Sequence, residues 1–258
     1  MYLDENDVCV IGDVHGCLEE LFDLIKLIEA RSVKPIKLYF LGDLIDRGPN
    51  TIGVLRFVIS HPWVAGVCLG NHEEKFFRWM KHQEKELAGG PKNPIKQYFE
   101  YPEELSYWLD LLANKIKAYI QIPDSNYTLV HGGFLPTMRN LPSQCLKELS
   151  KFDRLCLRVR YIDENGNMVR FGNEKPDHSF WTESYDGRFG TVVYGHQPVD
   201  EVVYKNNTFG IDTGCVFGGK LTALHLISND EVEEISVIAR QQYAEKQRPW
   251  INVKNVIV

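Results

Sequence analysis

Val8-Cys9-Val10-Ile11-Gly12-Asp13-Val14-His15-Gly16 is an apolar run that ends abruptly in an Asp and a His flanked by glycines. Four apolar residues bounded by a turn signal read as a buried strand. The pattern returns four times. Leu38-Tyr39-Phe40-Leu41 precedes Gly42-Asp43-Leu44-Ile45-Asp46-Arg47-Gly48, and Val67-Cys68-Leu69 precedes Gly70-Asn71-His72-Glu73. Leu129-Val130 precedes His131-Gly132-Gly133, and Val192-Val193-Tyr194 precedes Gly195-His196. In open α/β sheets, ligands bind at the carboxyl ends of strands. Five polar clusters in that position predict one site, with enough donors for two divalent cations.

Around these motifs the first 87 residues alternate strand and helix, the mark of a βαβ-type half-sheet. A helix is expected over residues 18–30, with Leu21, Leu24, Ile25 and Ile28 on its buried stripe. Thr51 reads as the N-cap of a second helix, and a third follows Asn71. Gly89-Gly90-Pro91-Lys92-Asn93-Pro94 is a break. Further helices are expected at 102–112 and 143–152, with a polar turn at 163–167. From Thr191 onward, short strands suggest a second sheet packed on the first. The expected organisation is one domain over 1–258, with substrate selection in about 89–190.

Bulk composition narrows the class. A chain of 258 residues with 44% hydrophobic and 25% charged residues is ordinary for a globular domain. A formal charge of −6 argues against a broad basic face for stable nucleic-acid binding. It does not oppose a phosphorylated substrate, because bound cations make a site locally positive. The acidic start, Met1-Tyr2-Leu3-Asp4-Glu5-Asn6-Asp7, lacks the features of a signal peptide. No run approaches the roughly 20 apolar residues of a membrane span. The six cysteines include no CxxC pair and read as reduced core residues, Cys215 being notable for following Asp212 closely. A cytoplasmic, membrane-free protein is expected.

The motif residues suggest distinct tasks. Asp13 and His15, two apart on a tight turn, suit one cation. Asp43 is the candidate bridge, since a carboxylate has two oxygens to share. Asn71, His131 and His196 would complete the second position. This mixed carboxylate, amide and imidazole set suits Mn²⁺ best, with Fe or Zn as alternatives, rather than Ca²⁺. Arg47 offers a planar fork for phosphate oxygens. His72, next to a ligand, is the candidate general acid, and Asp46 would hold its ring. Leu157-Arg158-Val159-Arg160-Tyr161 reads either as an exposed strand with solvated arginines or as the source of a second phosphate-binding arginine, Arg160. Trp181 and Tyr185 read as core or as the rim of a substrate entrance. His61, His82, His178 and His225 fall outside every motif and are expected in surface or packing roles.

With these residues in view, the chain resembles the phosphoprotein phosphatase family of calcineurin-like metallophosphoesterases. GDVHG, GDLIDRG, GNHE, HGG and GH match its motifs in order over about residues 9–196. The resemblance implies a mixed αβ sandwich, two central mixed sheets flanked by helices. It implies Asp13, His15 and Asp43 at one metal, and Asp43, Asn71, His131 and His196 at the other. Arg47 is implied as phosphate binder, and His72 paired with Asp46 as general acid. Gln197-Pro198 after His196 lacks the second histidine usual in the nuclease branch. The stretch Ile211-Asp212-Thr213-Gly214-Cys215 looks like bacterial members, and there Asp212 is implied behind a metal-bound histidine.

The expected activity is one-step hydrolysis of a phosphomonoester, phosphoserine or phosphothreonine, by a metal-bridging hydroxide. Hydrolysis of a dinucleoside polyphosphate such as diadenosine tetraphosphate is the alternative. A non-catalytic scaffold of the same fold is the alternative of another class.

Overall fold

The computed structural model describes residues 2–83 and 100–246. The expected break at Gly89-Gly90-Pro91-Lys92-Asn93-Pro94 lies outside the described residues.

Three strand-helix units open the chain. A short helix α1 (Tyr2–Glu5) leads into β1 (Asp7–Ile11), α2 (Leu18–Arg31), β2 (Ile36–Phe40), α3 (Thr51–Ser60), β3 (Val64–Cys68) and α4 (Asn71–Gln83). Then come α5 (Pro102–Ala113), β4 (Ile116–Lys117), β5 (Tyr119–Gln121) and β6 (Tyr127–Val130). A small hairpin pairs β7 (Tyr161–Ile162) with β8 (Ser179–Phe180). The remaining strands are β9 (Thr191–Tyr194), β10 (Val203–Lys205), β11 (Thr208–Gly210), β12 (Lys220–Leu226) and β13 (Val232–Ile238).

The first sheet has the order β13-β12-β1-β2-β3-β4, parallel from β1 to β4 and antiparallel through β12 and β13. The second has the order β10-β11-β9-β6-β5, with β11, β9 and β6 parallel at its centre. The last two strands therefore extend the first sheet, whereas the sequence suggested that they belong to the second. Their pairing is non-local. Val8 lies opposite Leu226, and Ile11 opposite Ala223, a partnership that no local pattern encodes.

Strand alternation divides the core in two. Val8 and Val10 of β1, Tyr39 of β2 and Leu224 of β12 meet Ile120, Tyr127, Leu129 and Val193 of the second sheet. Cys9 and Ile11 point the other way, toward Leu21, Leu24 and Ile28 of α2. Every residue of β1 is buried because both faces are covered, the condition that makes parallel strands read as unbroken apolar runs. Leu105, Leu109 and Leu112 of α5, the helix expected at 102–112, are fully buried. No described helix is long and apolar enough to cross a membrane.

Two local expectations need correction. The N-cap of α3 is Asn50, whose Oδ1 accepts the Gly53 N–H at 2.8 Å. Thr51 instead accepts the Asp46 N–H on Oγ1 at 3.2 Å. The helix expected at 143–152 is absent, and a 3₁₀ turn follows at Asp153–Leu157. Ser143 Oγ takes the Cys145 N–H, while Ser150 and Asp153 exchange side-chain to backbone bonds. Such local bonds compete with helix formation.

Candidate active site

Five loops converge at the carboxyl ends of β1, β2, β3, β6 and β9. Backbone bonds lock them together. His15 N–H donates to Asp43 O at 2.8 Å, Gly16 N–H to Leu44 O at 2.8 Å, and Gly195 N–H to His131 O at 2.8 Å. His15, Asp43, Asp46, Arg47 and His196 all have positive φ, from 47° to 74°. Non-glycine residues occupy this region rarely and at a cost, so the surrounding bonds must hold the loops there. Glycine is required where the loops touch: a Cβ on Gly195 would strike Asp13 Oδ1, and one on Gly70 would strike Asp43 N and Glu73 Oε2.

The structure brings Asp13, His15, Asp43, Asn71, His131 and His196 together around Asp43. His15 Nε2 is 3.5 Å from Asp43 Oδ2, and His131 Nε2 is 3.4 Å from Asp43 Oδ1. His131 Nε2 is also 3.0 Å from Asn71 Oδ1. Ligand atoms of His15, Asp43 and His72 form one group within 4.8 Å, and those of Asp43, His131 and His196 form another. The two groups share Asp43.

The donor and acceptor pattern fits cations. His15 Nδ1 lies 2.8 Å from Ile45 O, and His131 Nδ1 lies 2.9 Å from Leu41 O. A carbonyl oxygen only accepts, so each Nδ1 carries a proton. In a neutral ring that leaves Nε2 as a lone pair facing carboxylate or amide oxygens, an arrangement a divalent cation reconciles. His196 Nε2 is buried with no hydrogen-bond partner. Burial, helped by Arg160 and His131, holds the His196 imidazole well below its usual pKa. Burial and Arg47 do the same for His15. Neutral imidazoles are the form that binds metal.

The carboxylates are crowded and buried, which shifts their pKa values apart. Burial, then Asp212 and Asp43, push the Asp13 carboxyl well above its usual range. Burial also raises Asp212 to about 6. Burial opposes ionisation of Asp43 too, but His131, His72 and His15 together outweigh it and hold its pKa well below normal.

Asp46 and His72 form a pair at one side of this cluster. His72 Nδ1 is 2.7 Å from Asp46 Oδ2, while His72 Nε2 stands 3.9 Å from Asp43 Oδ2. Arg47 is exposed, its Nη1 donates to His15 Nε2 at 2.5 Å, and its guanidinium lies over Phe217. The His15 nitrogen it meets is the one that a cation on His15 would use. Arg160 donates to His196 O at 2.9 Å, and burial lowers its pKa to about 10. Neither arginine of the Leu157–Tyr161 stretch is on an exposed strand. Arg158 donates to Glu74 Oε2 at 2.7 Å and Asn71 O at 3.3 Å. Leu157 and Val159 are buried, so the alternation is real while the solvated reading of the arginines is not.

Asp212 accepts the Gly214 N–H at 3.1 Å. The second nitrogens of His15 and His131 are held by backbone carbonyls rather than by a carboxylate. Trp181 is fully buried, and Tyr185 donates to Gly190 O at 2.8 Å, so both serve packing. His225 lies 3.3 Å from Asp7 Oδ1, and His61 stacks on Phe57.

Sequence reasoning missed Glu73. It is fully buried and accepts the N–H groups of Asp43, Leu44 and Ile45 at 2.9, 2.8 and 3.2 Å. Burial and the Asp43 carboxylate raise its pKa to about 7. The signal was present in the acidic residue after His72, in the first turn of α4. Glu74, also buried, meets Arg78, Arg154 and Arg158.

The chain is similar to known proteins along most of its length. The family model described as Calcineurin-like phosphoesterase matches residues 7–230. An asymmetrical bis(5'-nucleosyl)-tetraphosphatase PrpE of Anoxybacillus flavithermus is 32% identical over 93% of this chain and 98% of its own. One of Bacillus anthracis is 33% identical over the same shares. A solved structure described as a candidate diadenosine tetraphosphatase has a TM-score of 0.65 at 24% identity, covering 91% of this chain and 94% of that one. A Saccharomyces cerevisiae protein serine/threonine phosphatase has 0.53 at 14%, covering 90% and 80%. At those identities the solved structures show the fold alone. The chain belongs to the calcineurin-like phosphoesterase family, and it is a metallophosphoesterase that hydrolyses phosphoric esters.

Proposed function

We propose that the protein is a divalent-metal-dependent bis(5'-nucleosyl)-tetraphosphatase that cuts its substrate into unequal parts. The observation that carries this reading is the pair of arginines at the shared cluster. Arg47 is bonded to a histidine of the first ligand group, and Arg160 to a histidine of the second. A phosphomonoester presents one phosphoryl group, whereas four linked phosphates extend past it and need charge on both sides. The tetraphosphatase relatives, 31% to 33% identical over nearly their whole length, support the same substrate class.

In this reading Asp13, His15 and Asp43 hold one cation, and Asp43, Asn71, His131 and His196 hold the other. The mixed donor set favours Mn²⁺, with Fe or Zn next. Such cations, when bound, neutralise phosphoryl charge and make hydroxide available near neutral pH. Arg47 and Arg160 bind phosphate oxygens. His72, with its Nδ1 proton held by Asp46, presents Nε2 to the leaving oxygen. Asp212 adds buried negative charge behind Asp13. The fold is used as one domain, and the region at about 89–190 selects substrate, Arg160 being its contribution to the site. The expected setting is the cytoplasm.

The His72–Asp46 pair favours a second reading, a phosphoserine or phosphothreonine phosphatase. An alkoxide leaving group needs a proton far more than a polyphosphate does. A side-by-side assay with Mn²⁺ decides between them. Diadenosine tetraphosphate should be turned over with the higher kcat/KM and yield ATP and AMP. Two ADP molecules would overturn the asymmetric cut, and faster turnover of a phosphopeptide would establish the second reading.

A further inference from the structure

Behind the loop that carries His15, a second group of ligating side chains converges. Cys17 caps the start of α2, Glu20 lies three residues on along the same face, and Cys215 comes from the turn after Asp212. They are 0%, 1% and 1% exposed. Their two sulfurs and a Glu20 carboxylate oxygen all lie within 4.8 Å of one another. None of the three belongs to the phosphoesterase cluster.

Glu20 is the decisive residue. Its Oε1 accepts the Arg240 N–H at 3.0 Å and the Tyr243 hydroxyl at 2.7 Å. Its Oε2 is buried and has no partner. A buried carboxylate oxygen without a donor is costly and calls for an explanation. Neither neighbouring thiol relieves it, and Cys17 Sγ turns toward His15 O at 3.9 Å.

We propose that Cys17, Glu20 and Cys215 form a third cation site, selective for a thiophilic divalent ion such as Zn²⁺. Two sulfurs and one oxygen suit Zn²⁺ and exclude Mg²⁺ or Ca²⁺ as preferred occupants. Tetrahedral zinc with bonds of about 2.3 Å to sulfur and about 2.1 Å to oxygen sets S···S near ~3.8 Å and S···O near ~3.6 Å. The three side chains therefore need only a small closure. Arg240 and Tyr243 fix the carboxylate through Oε1, the orienting role that partners of metal ligands play, and leave Oε2 for the ion. Binding releases the two thiol protons.

The ion would tie the segment following His15 to the segment following Asp212. Both segments carry residues of the active-site loops, and the chain at 240–243 bonds Glu20 Oε1. With three protein ligands the fourth position of the tetrahedron falls to a water, and the ion stiffens the loop that presents Asp13 and His15.

Cadmium separates this site from the catalytic one, because thiolate ligation produces an ultraviolet charge-transfer absorption and no proposed catalytic ligand is a cysteine. Metal-stripped full-length protein titrated with Cd²⁺ should take up a third equivalent together with that absorption. Cys17→Ser and Cys215→Ser should each lose the absorption and the third equivalent while keeping two. Glu20→Gln should weaken the third equivalent more than tenfold, and Cys145→Ser, at an exposed cysteine, should change nothing. Saturated wild-type protein without the absorption overturns the proposal whether or not the variants fold. So does an absorption that survives in both Cys17→Ser and Cys215→Ser.

Discussion

His72 Nδ1 lies 2.7 Å from Asp46 Oδ2, a contact between the first turn of one helix and the loop that precedes another. The contact fixes the ring plane and puts a carboxylate behind the nitrogen that faces away from Asp43. The His72 hydrogen bond and charge overcome burial and hold the Asp46 carboxyl well below its usual pKa.

His72→Ala is expected to cut kcat by roughly 10²–10⁴-fold on a phosphoserine peptide, the range of general acid catalysis. The loss on an aryl phosphate or a dinucleoside polyphosphate should be smaller, since those groups leave with less help. Asp46→Asn should follow the same order with a smaller effect. Steady-state rates on the three substrates check this, and equal losses on all of them would refute the acid role.

Arg47→Ala is expected to lower kcat/KM more than tenfold on every phosphate ester, about 1.4 kcal/mol or more of transition-state binding. Arg160→Ala should cost most on diadenosine tetraphosphate and least on a small aryl phosphate. A uniform loss from Arg160→Ala would mean that it acts by holding His196 O rather than by contacting the polyphosphate.

Removing divalent cations with a chelator and dialysis should abolish hydrolysis, and Mn²⁺ should restore it. Metal content by mass spectrometry accompanies the assay. Full activity in metal-free protein would end the two-cation reading.

Glu73→Gln puts an amide N–H₂ where three backbone N–H groups now find a carboxylate. At least one donor loses its partner, which should cost about 1–3 kcal/mol of stability. Chemical denaturation measures it, and an unchanged midpoint would show that the loop holds without Glu73.

Asp7 gives a pH signature remote from the active site. Burial raises its pKa, but the Lys34 and Val33 N–H groups on Oδ2, at 2.8 and 2.7 Å, and His225 nearby bring it below 3.8 overall. The lowered folded value means that Asp7 stabilises the fold above the usual carboxylate range. That contribution is lost as pH falls through the folded value. Asp7→Asn should therefore destabilise at neutral pH and flatten the acid limb of stability against pH. A parallel, unshifted acid limb would contradict the assignment.

Much of the fold was legible because the site motifs are punctuation in the hydrophobic pattern. Each run such as Val8–Ile11 ends where a polar turn begins, so strand ends and candidate ligands are read together. Glu73 escaped notice because its partners, the N–H groups of Asp43, Leu44 and Ile45, are 28 to 30 residues away and leave no side-chain signature. The helix expected at 143–152 failed because serine and aspartate bonds to nearby backbone outbid a weak periodicity.

The sequence alone determined the order of strands and helices in the first half, the buried stripe of α2, and the residues that end β1, β6 and β9. Local sterics and hydrophobic period suffice for these. Only the tertiary structure decided that β12 and β13 join β1, that Arg158 pairs with Glu74 while Arg160 reaches His196, and that Arg47 rests on His15. It also decided that Cys17, Glu20 and Cys215 meet. These depend on contacts between residues far apart in the chain, where the register of one strand against another fixes which side chains share a space.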